Sequence, residues 1–176
     1  MTALDELTAL LCELAQRPSC EGGGLSELDH LLQCAAELAR SRPDDTELQL
    51  AGLVHDIGHG FGSDADHGRL GADFVRPVLG GRVADLVAAH VPAKRFLVAT
   101  DPAYGAGLSS DSSRTLDLQG GAMTVAEVAE FRRRPSTEDA LVLRRADDAA
   151  KVPGRSVPGL ESWWDALGRV HADHRR

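Results

Sequence analysis

The sequence has no paired cysteines. Cys12, Cys20 and Cys34 form an odd set without CxxC spacing, which argues against a disulfide framework or a zinc ribbon and fits reduced thiols in the cytoplasm. Long apolar runs are missing too: nothing approaches the ~18 residues of a membrane-spanning helix. The opening stretch MTALDELTALLCELAQ mixes acids with its leucines and lacks a basic segment followed by an apolar one, so no signal peptide is expected. Nor is there an excess of cations. Nineteen Lys and Arg stand against 27 Asp and Glu, for a formal net charge of -8 at pH 7. Such a surface repels phosphate backbones and anionic lipid, so neither nucleic acid nor membrane is an expected partner. An anionic small molecule would need a local cationic pocket.

Strand patterning is also lacking: no segment alternates apolar and polar residues over a useful length. Helical spacing is what remains. Leu4, Leu7, Leu10, Leu11 and Leu14 recur on one face of the first segment, which Gly22-Gly23-Gly24 ends. Ser26 starts a second helix with Leu28, Leu31, Leu32, Ala35 and Leu38 on one side. Pro43-Asp44-Asp45 separates it from TELQLAGLVHDIG, where Gly58 suits a C-terminal cap. A short helix is predicted from His67, stopping near Pro77. Another spans Gly81 to Val91, with Pro92 opening the next piece. A polar stretch around Ser112 has a helical option from Asp111. Thr124 to Glu127 and Ser136 to Asp139 both read as capping boxes, and a last helix covers Leu160 to about His171. The 176 residues suit one all-α domain, residues 1–176, large enough for a core that needs no disulfide or structural metal.

Certain polar residues do not belong on these apolar faces. His30 sits among Leu28, Leu31 and Leu32; His55 and Asp56 follow Leu53 and Val54. His90 follows Leu86, Val87 and Ala89, and Asp147 follows Leu141, Val142, Leu143 and Ala146. Burying such groups is costly unless they are paired or metal-bound. One histidine on an apolar helix is usually a hydrogen-bonded core residue, and one aspartate near a helix end is usually a cap. Five residues on four helices ask for a common reason, and a bundle can converge them on a metal site. Neighbouring helical residues point about 100° apart, so His55 can bind one ion while Asp56 reaches between two. The donor set, without thiolate, favours Fe, Mn or Co over structural zinc. His67 adds a sixth potential ligand, or sits solvated at the surface.

The order His30, His55-Asp56, Asp147 at helical spacing resembles the HD-domain superfamily. The stretches HVPAKRFL, LSSDSSRTLDLQGG and LRRADDAAK narrow the resemblance to the HD-domain oxygenases of phosphonate catabolism, the PhnZ-like enzymes related to myo-inositol oxygenase. It covers about Leu25 to Pro153. It implies an HD-domain helical bundle around a dinuclear metal site holding two Fe ions in a mixed-valence Fe(II)/Fe(III) state. His30, His55 and Asp147 would bind one, His67 and His90 the other, with Asp56 bridging. The substrate would be a 1-hydroxyphosphonate, cleaved with O2 at its C–P bond to a carboxylic acid and phosphate. Lys94, four residues after His90, would bind the phosphonate, as would His59; Ser112 and Thr115 could donate hydroxyls from one helical face. Gln119 and Arg144 are weaker candidates. Outside the family, Lys94 could be a solvated helix residue, and Ser112 and Thr115 ordinary helix-start chemistry.

The sequence departs from its amino-substrate relatives at one place. Where they carry a Tyr ten residues and a Glu seven residues before the first ligand histidine, this chain has Cys20 and Gly23, with Glu21 out of register. The expected substrate therefore lacks a cationic amine at that end, as hydroxymethylphosphonate does. The alternative is a metal-dependent HD phosphohydrolase acting on a nucleotide or phosphate monoester, which needs the same His/Asp core but not the blocks around Lys94 and Gln119.

Overall fold

A computed structural model describes residues 2–19, 24–62 and 64–176. Among them the chain forms α1 (Ala3–Leu14), α2 (Glu27–Ser41), α3 (Thr46–Val54), α4 (His67–Leu79), α5 (Gly81–Thr100), α6 (Pro102–Ala106), α7 (Ser110–Leu118), α8 (Val125–Phe131), α9 (Thr137–Ala149) and α10 (Trp164–His174). Single 3-10 turns occupy Ile57–Gly60 and Leu160–Trp163. No strand occurs among the described residues, so the fold is all-α. None of these helices is long and apolar enough to cross a membrane.

Local chemistry starts these helices. Thr2 with Asp5, Ser26 with Asp29 and Thr124 with Glu127 form reciprocal capping boxes at α1, α2 and α8. Each supplies acceptors to backbone N–H groups that the helix itself leaves unsatisfied. The box predicted at Ser136 does not form: Ser136 makes no side-chain cap to α9. The neighbouring Thr137 hydroxyl donates back to the Phe131 and Arg134 carbonyls instead.

The helix from His67 ends at Leu79, two residues past Pro77 and near the predicted stop, but the boundary predicted at Pro92 is overridden. Pro77 lies inside α4 and Pro92 inside α5. Proline removes one ladder hydrogen bond, but burial on both sides outweighs that loss. Val75, Val78 and Leu79 are buried around Pro77. Leu86, Val87 and Ala89 precede Pro92, and Ala93, Phe96 and Leu97 follow it, all in the interior. The resulting α5 is a 20-residue rod, against which α3, α4 and α9 pack; α2 in turn lies on α3 and α9. The main core joins leucines of α1 to α3 with Val83, Val87 and Leu143. A smaller cluster pairs Phe96 with Phe131.

Gly58 also has a different role from the predicted cap. Helix α3 ends at Val54, and Gly58, within the 3-10 turn, is not among the positive-φ glycines. A Cβ there would strike the His67 carbonyl oxygen and come within 2.7 Å of the Gly71 backbone nitrogen. Glycine is thus required because α4 approaches the turn backbone to backbone.

Candidate metal centre

Five elements carry the six candidate ligands to one place. His30 lies in the first turns of α2, held there by the Ser26 cap and by its own N–H bond to the Ser26 carbonyl at 3.2 Å. His55 and Asp56 follow the end of α3, His67 opens α4, His90 sits mid-α5 and Asp147 lies near the end of α9. The four histidines are buried, between 0% and 6% exposed, and Asp147 is 3% exposed.

Each histidine is oriented by a backbone carbonyl. Nδ1 meets Ala150 O at 2.9 Å in His30, Gly52 O at 2.8 Å in His55, Asp64 O at 2.7 Å in His67 and Val87 O at 2.6 Å in His90. A carbonyl can only accept, so each Nδ1 carries a proton and each Nε2 turns inward, where it holds a lone pair whenever the ring is neutral. Those nitrogens face each other in pairs: His30 and His55 at 3.3 Å, His67 and His90 at 2.8 Å. Paired lone pairs at these distances repel unless a cation or a shared proton lies with them. Ring orientation by a second hydrogen bond is also what metal-binding imidazoles require.

Asp56 stands between the pairs. Its Oδ2 is 3.5 Å from His30 Nε2 and 3.4 Å from His55 Nε2. Its Oδ1 is 3.3 Å from both His67 Nε2 and His90 Nε2. Asp147 faces only the first pair, 3.4 Å from His30 and 3.7 Å from His55. The side chains thus form two groups able to hold a metal, His30-His55-Asp56 and Asp56-His67-His90, with Asp56 common to both. Four imidazoles and two carboxylates fit a pair of divalent or trivalent ions such as Fe, Mn or Co.

Electrostatics follow the same layout. Burial opposes protonation of His30, but Asp147 and Asp56 outweigh it and lift the group to about 9. Burial dominates at His90, which falls to about 4. Burial works against the Asp56 carboxylate, yet the surrounding histidines, His55 foremost, hold it well below the usual carboxylate range.

A cavity of about 140 Å³ opens on this cluster. That is below the roughly 300–1,000 Å³ of sites for drug-sized ligands. Lys94, only 3% exposed, points along its wall, with Nζ donating to Thr115 Oγ1 at 2.9 Å and to the Ser112 carbonyl at 3.4 Å. Burial, with repulsion from Arg144, pushes its ammonium down to about 8. His59 stacks on His67 with ring centroids 4.0 Å apart, and its Nδ1 lies 3.4 Å from Asp64 Oδ1. Ser112, Thr115, Gln119 and Arg144 line the same cavity. The candidate metal and substrate residues singled out from the sequence therefore meet, while Cys20, Glu21 and Gly23 lie outside the described residues.

Three contributors were not singled out. Lys151 donates to Ser112 Oγ at 2.9 Å and adds a second ammonium to the wall. The Asp64 backbone carbonyl accepts from both His67 and Gln119, which no side-chain pattern encodes. Glu27 lines the mouth one turn before His30, a position its spacing alone could have suggested.

An all-α bundle carrying histidines and aspartates in this order defines the HD class, and the HD domain family matches residues 28–151. The chain is 41% identical over 150 residues to hydroxymethylphosphonate dioxygenase of Gimesia maris, covering 79% of this chain and 74% of that one. It is 35% identical over 147 residues to the glycine-betaine-forming [1-hydroxy-2-(trimethylamino)ethyl]phosphonate dioxygenase of Leisingera caerulea, covering 78% and 74%. It is 30% identical over 152 residues to uncharacterized protein L432 of Acanthamoeba polyphaga mimivirus, covering 80% and 69%. The chain belongs to the HD-domain family and, within it, to the PhnZ-like oxygenases.

Proposed function

We propose that this chain is a di-iron enzyme that uses O2 to cleave the C–P bond of a small 1-hydroxyphosphonate, giving a carboxylic acid and phosphate. The observation that carries the reading is the pairing of a shared carboxylate, one oxygen toward each histidine pair, with a buried lysine in the same small cavity. With hydroxymethylphosphonate the balance closes on its own. One O2 and one substrate give formate and phosphate, and no external reductant is consumed.

His30, His55 and Asp147 would hold one iron, His67 and His90 the other, and Asp56 both. Iron held there would supply oxygen activation and the removal of hydrogen from C1. The chain supplies placement and charge. Lys94 meets the phosphonate with an ammonium already bonded to Thr115, so little side-chain freedom is lost when the anion arrives. Ser112 and Thr115 offer hydroxyls beside it, and His59 lines the same cavity. Burial of these groups strengthens their attraction for a dianion over what water would allow.

The relatives divide over the end of the substrate distal to phosphorus, since one is a hydroxymethylphosphonate dioxygenase and another acts on a trimethylamino compound. Cys20 and Gly23 give this chain neither the Tyr nor the Glu of amino-substrate relatives. A substrate without a cationic amine, such as hydroxymethylphosphonate, follows. Anaerobic loading with Fe(II), then electron paramagnetic resonance and oxygen uptake on a panel of 1-hydroxyphosphonates, tests the reading. A coupled Fe(II)/Fe(III) signal and uptake matched by phosphate release are expected. Phosphate release from a monoester without oxygen uptake would mark a phosphohydrolase. Strong preference for 2-amino-1-hydroxyethylphosphonate over hydroxymethylphosphonate would overturn the substrate assignment.

A further inference from the structure

Behind Asp147 lies a chain of charged groups that the proposed reaction does not yet use. Arg144 is 4% exposed, although its side chain carries a permanent charge. Its Nη1 donates to Asp147 Oδ2 at 2.7 Å. Its Nη2 donates to Asp148 Oδ1, and its Nε lies 3.1 Å from Asp148 Oδ2 and 3.0 Å from the Tyr104 hydroxyl. Tyr104, the only tyrosine in the sequence, donates in turn to Asp148 Oδ2 at 2.7 Å. All three guanidinium nitrogens are therefore directed at groups of α6 and α9, and two carboxylates face the one cation.

Arg144 reaches the cavity wall, but Tyr104 and Asp148 do not line it. Their side-chain bonds run to each other and to Arg144. What they can do is fix the guanidinium, and through it one oxygen of Asp147. Oδ2 is the oxygen that Arg144 engages, while Oδ1 lies 3.4 Å from His30 Nε2. A carboxylate with one oxygen tied to a buried cation offers the other as its stronger donor. Outer hydrogen bonds of this kind commonly change metal affinity by about 10–100-fold.

We propose that Tyr104, Asp148 and Arg144 form a positioning network that holds Asp147 as a one-oxygen ligand to the ion at His30 and His55. The inference rests on the metal assignment made above and extends it outward to α6. Arg144 then acts on the metal half of the site, and its charge is committed to carboxylates instead of to the phosphonate.

The network can be tested on metal retention without any phosphonate. Wild-type protein, Tyr104→Phe and Asp148→Asn are loaded anaerobically with Fe(II), and loss of iron to a chelator is followed with time. Two release phases are expected in the wild type. In each variant one phase accelerates by about 3- to 30-fold while the other stays unchanged, and the helical circular dichroism matches wild type. In steady-state turnover, kcat falls while KM for the phosphonate stays within about twofold, because the substituted groups do not touch the substrate. Unchanged release in both variants overturns this inference alone. A rise in KM with unchanged release overturns it too, and makes Arg144 a substrate ligand. Loss of helical signal in both variants makes the network a folding element and also overturns it. Wild-type protein that retains no iron overturns the metal assignment along with it.

Discussion

The two halves of the metal centre share Asp56 and differ in what stands behind it. The half at His30 and His55 has Asp147 as a second carboxylate, with Arg144 bonded behind it to Oδ2. Among the described residues, the half at His67 and His90 has no second carboxylate in its metal-holding group; His59 stacks on it, and Asp64 contributes a carbonyl to His67. Equal numbers of imidazoles thus sit in unequal fields. The second carboxylate gives the half at His30 and His55 one more protein donor, and the charge of Asp147 is shared with Arg144. The half with fewer protein donors leaves more positions for exogenous ligands. A symmetric set of histidines is made asymmetric by one residue on α9.

The strongest way to break this comparison is to remove the part both halves share. Asp56→Ala should lose both ions, and turnover should fall on the order of a thousandfold or more. His67→Ala and Asp147→Ala should each lose about one metal equivalent, from opposite halves. Metal content per chain after desalting reads all three. Full retention of one tightly bound equivalent in Asp56→Ala would show that the carboxylate serves one half only.

Lys94 gives a smaller effect, with a pH signature. Burial and Arg144 hold its ammonium down to about 8, so below that pH the group is charged and can pair with the phosphonate. As pH rises through about 8 the free enzyme loses the charge and kcat/KM should fall. A bound dianion favours the protonated form, so the corresponding limb in kcat should lie at higher pH. Lys94→Gln should raise KM by about 10–100-fold, the worth of a hydrogen bond to a charged group, and should abolish this limb. A limb that survives the substitution belongs to another group.

The candidate ligands were legible because histidine and aspartate on apolar helical faces contradict the pattern around them, and because i,i+4 spacing carried Lys94 onto the His90 face. Pro92 misled because it announces a break that burial on both flanks overrides, whereas the helix holding Pro77 does end two residues after it. Gly58 looked like a helix cap because glycine after a helix usually is one. Its actual reason, the backbone of α4 against it, depends on a pairing the linear sequence does not display. The Tyr104–Asp148–Arg144 network joins groups 40 and 44 residues apart through a turn at α6 that no periodicity predicts. Local chemistry was readable, and contacts made by one element folding back on another were not.

Two backbone supports offer the finest test, since each serves one half. Gly58→Ala drives a Cβ against the His67 carbonyl and the Gly71 nitrogen, both backbone atoms that cannot rotate away. Overpacking of this kind costs about 1–3 kcal/mol, and relief requires α4 to move out with His67. Ser26→Ala removes an acceptor 3.0 Å from the Asp29 N–H and the hydroxyl that bonds Asp29 Oδ2 at 2.8 Å. It should cost about 1 kcal/mol, or about 2–4 °C in melting temperature. Its damage falls on the first turn of α2, where His30 sits. Gly58→Ala should therefore weaken the ion at His67 and His90, and Ser26→Ala, more mildly, the ion at His30 and His55. Iron release after each substitution should accelerate in opposite phases. If both accelerate the same phase, the two halves are mechanically one unit, and the asymmetry lies in their charge alone.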